Sequence, residues 1–542
     1  MATLFSTLLI NHVTAKNIKT PLLAQYCNMD RSNMYKILKG KRNPASKDIV
    51  HKMADFMRLT PIERHELLES YEITLTGYDN FYRRKDVQEF IQYFTEKLPE
   101  FPSVYTDFSS ALLSSEHSDS IFLTGKYPID TTLRCILSAE SKKRHGHLKL
   151  IFQPEHNYMD ILIAAVKNQQ ELTIEHIICL NNNSTITAEK RDYNLSCLKK
   201  LFPIYTSCSC KYIPLYYYDS ILTRDSIFTL FSSAIITSDY VLTFSPELES
   251  GILFYNKQLQ KHFHTLFNRL KSETKPLVYI PDSIFSQFNY FNQMDIHKAS
   301  GFSFQKEPCL IPLLPAFFPE KYITKNLPNR ELFITTVKRY IRQSAASFKG
   351  GLVTFFFTEN GIRHFLNTGR ISELPDSLYE PVDLNDRYLL LHNLITACQE
   401  MNYIMLRPET PITSSNLCVF AASQIGYLLF HSSDNKLVYL NLEEPSLMFA
   451  FHDYLESLYP VNCYSTEETV ERLTKLTQRI QKRITPPPTC THYDSLKLKR
   501  YCLKSYHSYF PISTFNSVVP IFITSPFFKI TGTSIRILFT NV

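Results

Sequence analysis

If residues 31–39 wind as a helix, Met34, Ile37 and Leu38 take one side at i, i+3 and i+4, and Arg31, Ser32, Tyr35, Lys36 and Lys39 share the other. A short helix that groups cations with hydrogen-bond donors suits recognition of a polyanion, not bond cleavage. The other chemistry-bearing residues are sparser. His145 and His147 could hold a metal, but no third ligand lies nearby, and His262 and His264 fall on opposite faces of a helical stretch. Cys208 and Cys210 form the closest cysteine pair and lack the second pair that a zinc site needs. With only 12 glycines there is no Gly-rich phosphate loop and no Gly-x-Ser-x-Gly elbow. No catalytic residue, metal ligand or cofactor is therefore expected.

Charge points the same way. Residues 1–60 hold ten Lys or Arg against Asp30, Asp48 and Asp55, an excess of seven that equals the net charge of the 542-residue chain. The rest is balanced, 48 basic to 48 acidic, so the footprint for a nucleic acid falls on the N-terminal module. A composition of 44% hydrophobic and 20% charged residues is that of a globular protein. The twelve cysteines read as reduced thiols, and no apolar run is long enough to span a bilayer. No signal region is evident, so the expected location is the cytoplasm, at the nucleoid.

The cationic face needs elements to hold it. Thr20 is placed to cap a first helix, with Pro21 at its first position and Leu22, Leu23, Tyr26 and Cys27 as its apolar face. Asn28 suits the left-handed turn that follows, and Asp30 can cap the second helix. Further helices are expected at Ser46–Leu59, after the capping box Thr60-Pro61-Ile62-Glu63, and over Asn80–Leu98, the last forming an arm that ends at Pro99–Pro102.

Over Leu22–Pro44 this segment resembles the XRE or phage-repressor helix-turn-helix. Leu23-Ala24 match the family's first helix, and Gly40-Lys41-Arg42-Asn43-Pro44 its Gly-Lys-x-x-Pro. The resemblance implies that the second helix enters the major groove, with Arg31, Ser32 and Lys36 at base-contacting positions and Asn33 and Tyr35 flanking them. Arg31 would read guanine, and Lys36 would do so less selectively. Phosphate contacts would fall on Thr20, Gln25, Lys39, Lys41 and Arg42. Two positions depart from the pattern: Asn28 stands for the turn Gly, and Val13 with Leu38 replace a buried Arg–Glu pair, a swap that costs little stability.

From about residue 120 the period changes to α/β. Strand-like runs at Leu148–Phe152, Ile174–Leu180, Tyr212–Tyr218 and Tyr240–Phe244 alternate with helical stretches at Thr131–Lys142, Met159–Lys167 and Asn194–Phe202. A second block adds strands at Gly351–Phe357, Leu417–Phe420 and Ile425–Phe430, with helices at Arg387–Met401 and Glu467–Arg483. Ser233–Leu270 and Leu417–Leu458 share one layout of three strands and a helix, with Phe263 and Phe267 facing in from one helix and Phe449 and Tyr454 from the other, which indicates duplication. The layout is similar to the end of each half in phospholipase D-like folds. That family's signature is His-x-Lys followed by four residues and then Asp, the His attacking phosphorus and the Lys neutralising phosphate oxygens. Here His147-Leu148-Lys149 is the only His-x-Lys, and Pro154 holds the Asp position.

The expected organisation is multidomain: a helix-turn-helix domain at 1–75, a helical arm at 76–119, α/β halves at 120–274 and 275–485, and an atypical tail at 486–542. The expected function is a bacterial transcriptional regulator that binds operator double-stranded DNA as a homodimer, without a membrane. Its non-catalytic C-terminal region would sense an unidentified small-molecule or peptide effector, or assemble protomers. The alternative is a phosphodiesterase- or nucleotide-processing effector, as in phage defence, that carries the helix-turn-helix. A receptor built from helical repeats is disfavoured by the abundance of strands between 120 and 480.

Overall fold

The computed structural model describes residues 2–94, 119–154, 158–181 apart from 168 and 170, 193–219, 233–293, 300–349, 352–422 apart from 401, and 425–481 apart from 433–435. The tail at 486–542 and the end of the arm lie outside the described residues.

Five helices form an N-terminal bundle: α1 (Leu4–Ala15), α2 (Thr20–Tyr26), α3 (Arg31–Leu38), α4 (Lys47–Phe56) and α5 (Pro61–Thr76). Local chemistry sets their ends. Thr60 and Glu63 cap each other across the start of α5, and the Thr60 backbone N–H and then Lys16 bring the Glu63 carboxyl down to about 2. Asn28 takes φ +50° between α2 and α3, and Asp30 caps α3 by accepting from the Ser32 N–H at 2.7 Å. Lys19, not Thr20, is the N-cap of α2, and Thr20 is its first helical residue. The inner face of α2 also differs from expectation: Leu23, Ala24 and Cys27 are buried, whereas Leu22 and Tyr26 are exposed, because α3 and α4 pack on the Leu23-Ala24 side. Gly40, at φ +66°, follows α3 so closely under the start of α1 that a Cβ would lie 2.8 Å from Ser6 Oγ and 2.9 Å from the Thr3 nitrogen.

After Gly77, α6 (Tyr78–Gln92) leads into the α/β region, whose first part runs β1 (Ser120–Thr124), α7 (Lys126–Ser141), β2 (His147–Ile151), α8 (Tyr158–Val166), β3 (Thr173–Asn181), α9 (Tyr193–Ser207) and β4 (Lys211–Asp219). A meander follows, β5 (Ser233–Ile236), β6 (Val241–Phe244) and β7 (Ser250–Phe254), then α10 (Lys257–Ser272) and the short β8 (Lys275–Pro276). The second part runs β9 (Val278–Tyr279), α11 (Ile284–Gln293), β10 (Gly301–Phe304), α12 (Phe318–Tyr322), α13 (Arg330–Lys349), β11 (Val353–Phe357), α14 (Glu359–Thr368), α15 (Leu384–Glu400) and β12 (Tyr403–Met405). It ends with β13 (Cys418–Ala422), β14 (Gly426–His431), β15 (Leu437–Leu442), α16 (Pro445–Glu456) and α17 (Thr466–Gln481).

The strands form two mixed sheets, ordered β1-β7-β6-β5-β2-β3-β4-β8 and β9-β15-β14-β13-β10-β11-β12. Apart from β8 the two orders correspond strand for strand. In each, three parallel strands (β2, β3, β4 and β10, β11, β12) adjoin an antiparallel meander, and the segments 233–270 and 417–458 supply that meander and the helix after it. The inward aromatic pair of the second copy is Phe451 and Tyr454; Phe449 is exposed, because only residues three apart stay on the buried side of α16 at this point.

The two sheets share one core with α6. Phe90 and Phe94, in the described part of the arm, pack edge-on against Phe202 of α9, and they also meet Phe451 and Phe430 of the second part. Asp453 on α16 accepts from both Arg83 and Arg84 at 2.8–3.3 Å, so the same helix is fastened by charge as well as by rings.

Candidate nucleic-acid interface

The short α3 owes its two faces to sequence: Met34, Ile37 and Leu38 are buried in the bundle, which turns Arg31, Ser32, Tyr35 and Lys36 to solvent. Asn33 is half-buried. It accepts a hydrogen bond from Arg42 Nη1 at 3.1 Å, so the loop after α3 is tied back to the helix and Lys39, Lys41 and Arg42 are exposed beside it. Gln25 is exposed on α2 and Thr20 half-buried at its start.

The cations of the bundle divide into two sets. Lys16, Lys47 and Arg64 pair with Glu63, Glu72 and Asp55. Among the described residues, Arg31, Lys36, Lys39, Lys41 and Arg42 have no carboxylate within ion-pair distance. One helix and its following loop thus present uncompensated positive charge next to amide, hydroxyl and guanidinium donors, an arrangement suited to phosphates and base edges. Asp30, at the start of α3, is the nearest acid; the Ser32 hydrogen bonds hold its carboxyl below the usual range.

The His-x-Lys pair lies on β2, where alternation puts His147 and Lys149 on one face beneath α10. His147 Nε2 lies 3.1 Å from Glu175 Oε2, the other Glu175 oxygen accepts from Lys271 on α10, and Lys149 donates to Asn268 Oδ1 at 2.9 Å. Glu175 is buried, and these hydrogen bonds, His147 first and Lys271 next, bring its carboxyl down to about 2. Burial, and then the neighbouring Lys149, lowers the His264 imidazole. Reading the sequence did not foresee Glu175, Asn268 or Lys271, which lie 28 to 124 residues from the pair. Pro154 lies beyond β2 and is buried, so no acid stands there. These contacts dock α10 on the sheet. His145 takes φ +57° in the turn before β2, and no group of three potential metal ligands occurs among the described residues. Cys208 and Cys210 share a hydrogen bond that lowers the Cys210 thiol and raises that of Cys208.

No family model and no curated protein matches the chain. Among solved structures it is similar to TrmBL2, an archaeal chromatin protein with a novel mode of DNA binding, at 10% identity, covering 46% of this chain and 84% of that one with a TM-score of 0.20. It is also similar to phosphatidylserine synthase from Haemophilus influenzae, at 9% identity, covering 78% of this chain and 99% of that one with a TM-score of 0.21. At these scores neither likeness carries an argument about function. The second neighbour is an enzyme, contrary to the expectation of a non-catalytic chain, and it brings no particular reaction to this one.

Proposed function

We propose that this protein is a sequence-specific DNA-binding transcriptional regulator of the XRE type. In this reading α2 and α3 act as a helix-turn-helix, with α3 in the major groove of an operator. Arg31, Ser32 and Lys36, flanked by Asn33 and Tyr35, read base edges, while Thr20, Gln25, Lys39, Lys41 and Arg42 hold phosphates. The observation that carries the reading is the uncompensated charge on α3 and its following loop, within residues 1–60, whose excess of seven equals the net charge of the chain.

One such module covers half an operator, so the protein binds as a homodimer on inverted half-sites about 34 Å apart, at the nucleoid. No helix among the described residues is long and apolar enough to cross a membrane. The α/β region supplies the effector response, reaching the bundle through α6. Sequencing DNA fragments retained by the purified full-length protein tests the proposal. Recurrent inverted half-sites are expected, and retention of all fragments in proportion to input would refute sequence-specific regulation.

A further inference from the structure

The second sheet reverses its strand order at β10: β11 and β12 continue in parallel on one side, and β13 returns antiparallel on the other. Because β13 runs antiparallel to β10, the chain leaves β10 and enters β13 at the same end of the sheet, and a crevice opens there. Here it is an open cleft of about 1060 Å3, room enough for a small molecule. Lys306 and Glu307, just past β10, line it with His364 of α14, Asn416 before β13 and His431 at the end of β14. Lys306 Nζ donates to Asn416 Oδ1 at 2.6 Å, a neutral partner, and no carboxylate lies within ion-pair distance of it among the described residues. Glu307 is buried and held by His364 Nδ1 at 3.0 Å.

The first sheet has the same reversal at β2, and there the place is filled. Phe152 and Gln153, just past β2, are buried; Phe152 packs against Tyr158, which packs on Phe244, and Tyr193 donates to Gln153 Oε1 at 2.8 Å. One copy of the topology therefore closes its crevice with rings. The other keeps a half-buried ammonium, a buried carboxylate and two exposed imidazoles around open space, although burying the Glu307 carboxylate costs free energy that rings would not.

We infer that the cleft beyond β10 binds a phosphorylated, hydroxyl-bearing small molecule of the sugar phosphate or nucleotide class. Lys306 takes the phosphate charge, Asn416 and His431 supply further hydrogen bonds, and Glu307 accepts from a ligand hydroxyl. The site also adjoins the arm. Phe94 forms part of its wall, and the Phe94 carbonyl accepts from the Asn416 N–H at 2.6 Å, so the residue that contacts the ligand also holds the end of α6. A consequence for operator affinity rests on the proposed DNA-binding function, whereas ligand binding itself does not.

Calorimetric titration of the full-length protein, without DNA, with inorganic phosphate, ribose 5-phosphate, glucose 6-phosphate and AMP tests the inference. At least one organic phosphate is expected to bind with one-to-one saturation. Lys306→Met and Asn416→Asp, the second placing a carboxylate beside Lys306, should each weaken it at least tenfold with an unchanged melting temperature. Preference for AMP identifies a nucleotide site, and preference for either sugar phosphate the other source. Binding of none of the four probes, of inorganic phosphate alone, or of any probe with equal affinity by both variants would overturn the inference. Loss of operator binding with ligand binding intact would count only against the DNA-binding reading.

Discussion

Replacing Glu373 with Gln should stabilise the protein, and increasingly so as pH rises. The carboxyl is buried, its Oε2 has no hydrogen-bond partner among the described residues, and burial pushes it up to about 7 from an ordinary 4.5. A carboxyl raised in the folded state lowers stability as pH climbs from the unfolded value to the folded one, because the unfolded chain ionises first. A shift of about 2.5 units corresponds to about 3 kcal/mol, reached in full above pH 7. Gln keeps the shape and cannot ionise. The variant should therefore gain about 3 kcal/mol over wild type at pH 8, and less than about 1 kcal/mol at pH 5. Thermal melts of both proteins from pH 5 to pH 8 check this. A gap that stays constant with pH, or a variant less stable than wild type at pH 8, would refute the account of Glu373 as an acid raised by burial.

Asp453→Asn leaves Arg83 and Arg84 facing a neutral amide, so α6 should loosen by about 3 kcal/mol, seen as faster hydrogen exchange along Tyr78–Gln92 with little change in α14. Glu175→Gln should cost about 1–3 kcal/mol at neutral pH. Because the folded carboxyl lies near 2, that stabilisation is present above about 4.5 and is lost as pH falls toward 2, so melts of wild type and variant should converge in acid. Lys41→Ala should weaken binding to all DNA sequences alike and reduce the slope of log affinity against log salt by about 1, measured by anisotropy titration.

Features set by neighbouring residues were legible in the sequence. The Asp30 cap, the Asn28 turn and the Thr60–Glu63 box depend on contacts within three residues, and each is present. The inward side of α2 was not legible, because a seven-residue helix offers too few apolar positions to choose between Leu22-Tyr26 and Leu23-Cys27 until α3 and α4 pack on it. The repeated meander was visible from its strand spacing. The full correspondence of the sheets was not, since β10 and β12 are four and three residues long and their parallel partner β11 lies about fifty residues away. The cleft is the extreme case: Lys306, His364 and His431 meet only through strand order, and no spacing announces them.

The central claim is that α3 reads base pairs, and selection of bound DNA by wild-type protein and by Arg31→Ala tests it most directly. The account predicts an inverted-repeat motif for wild type and, for the variant, loss of preference at one base pair in each half-site, worth about 1–3 kcal/mol, with the other positions retained. An unchanged motif, or a uniform loss of affinity at every position, would contradict it.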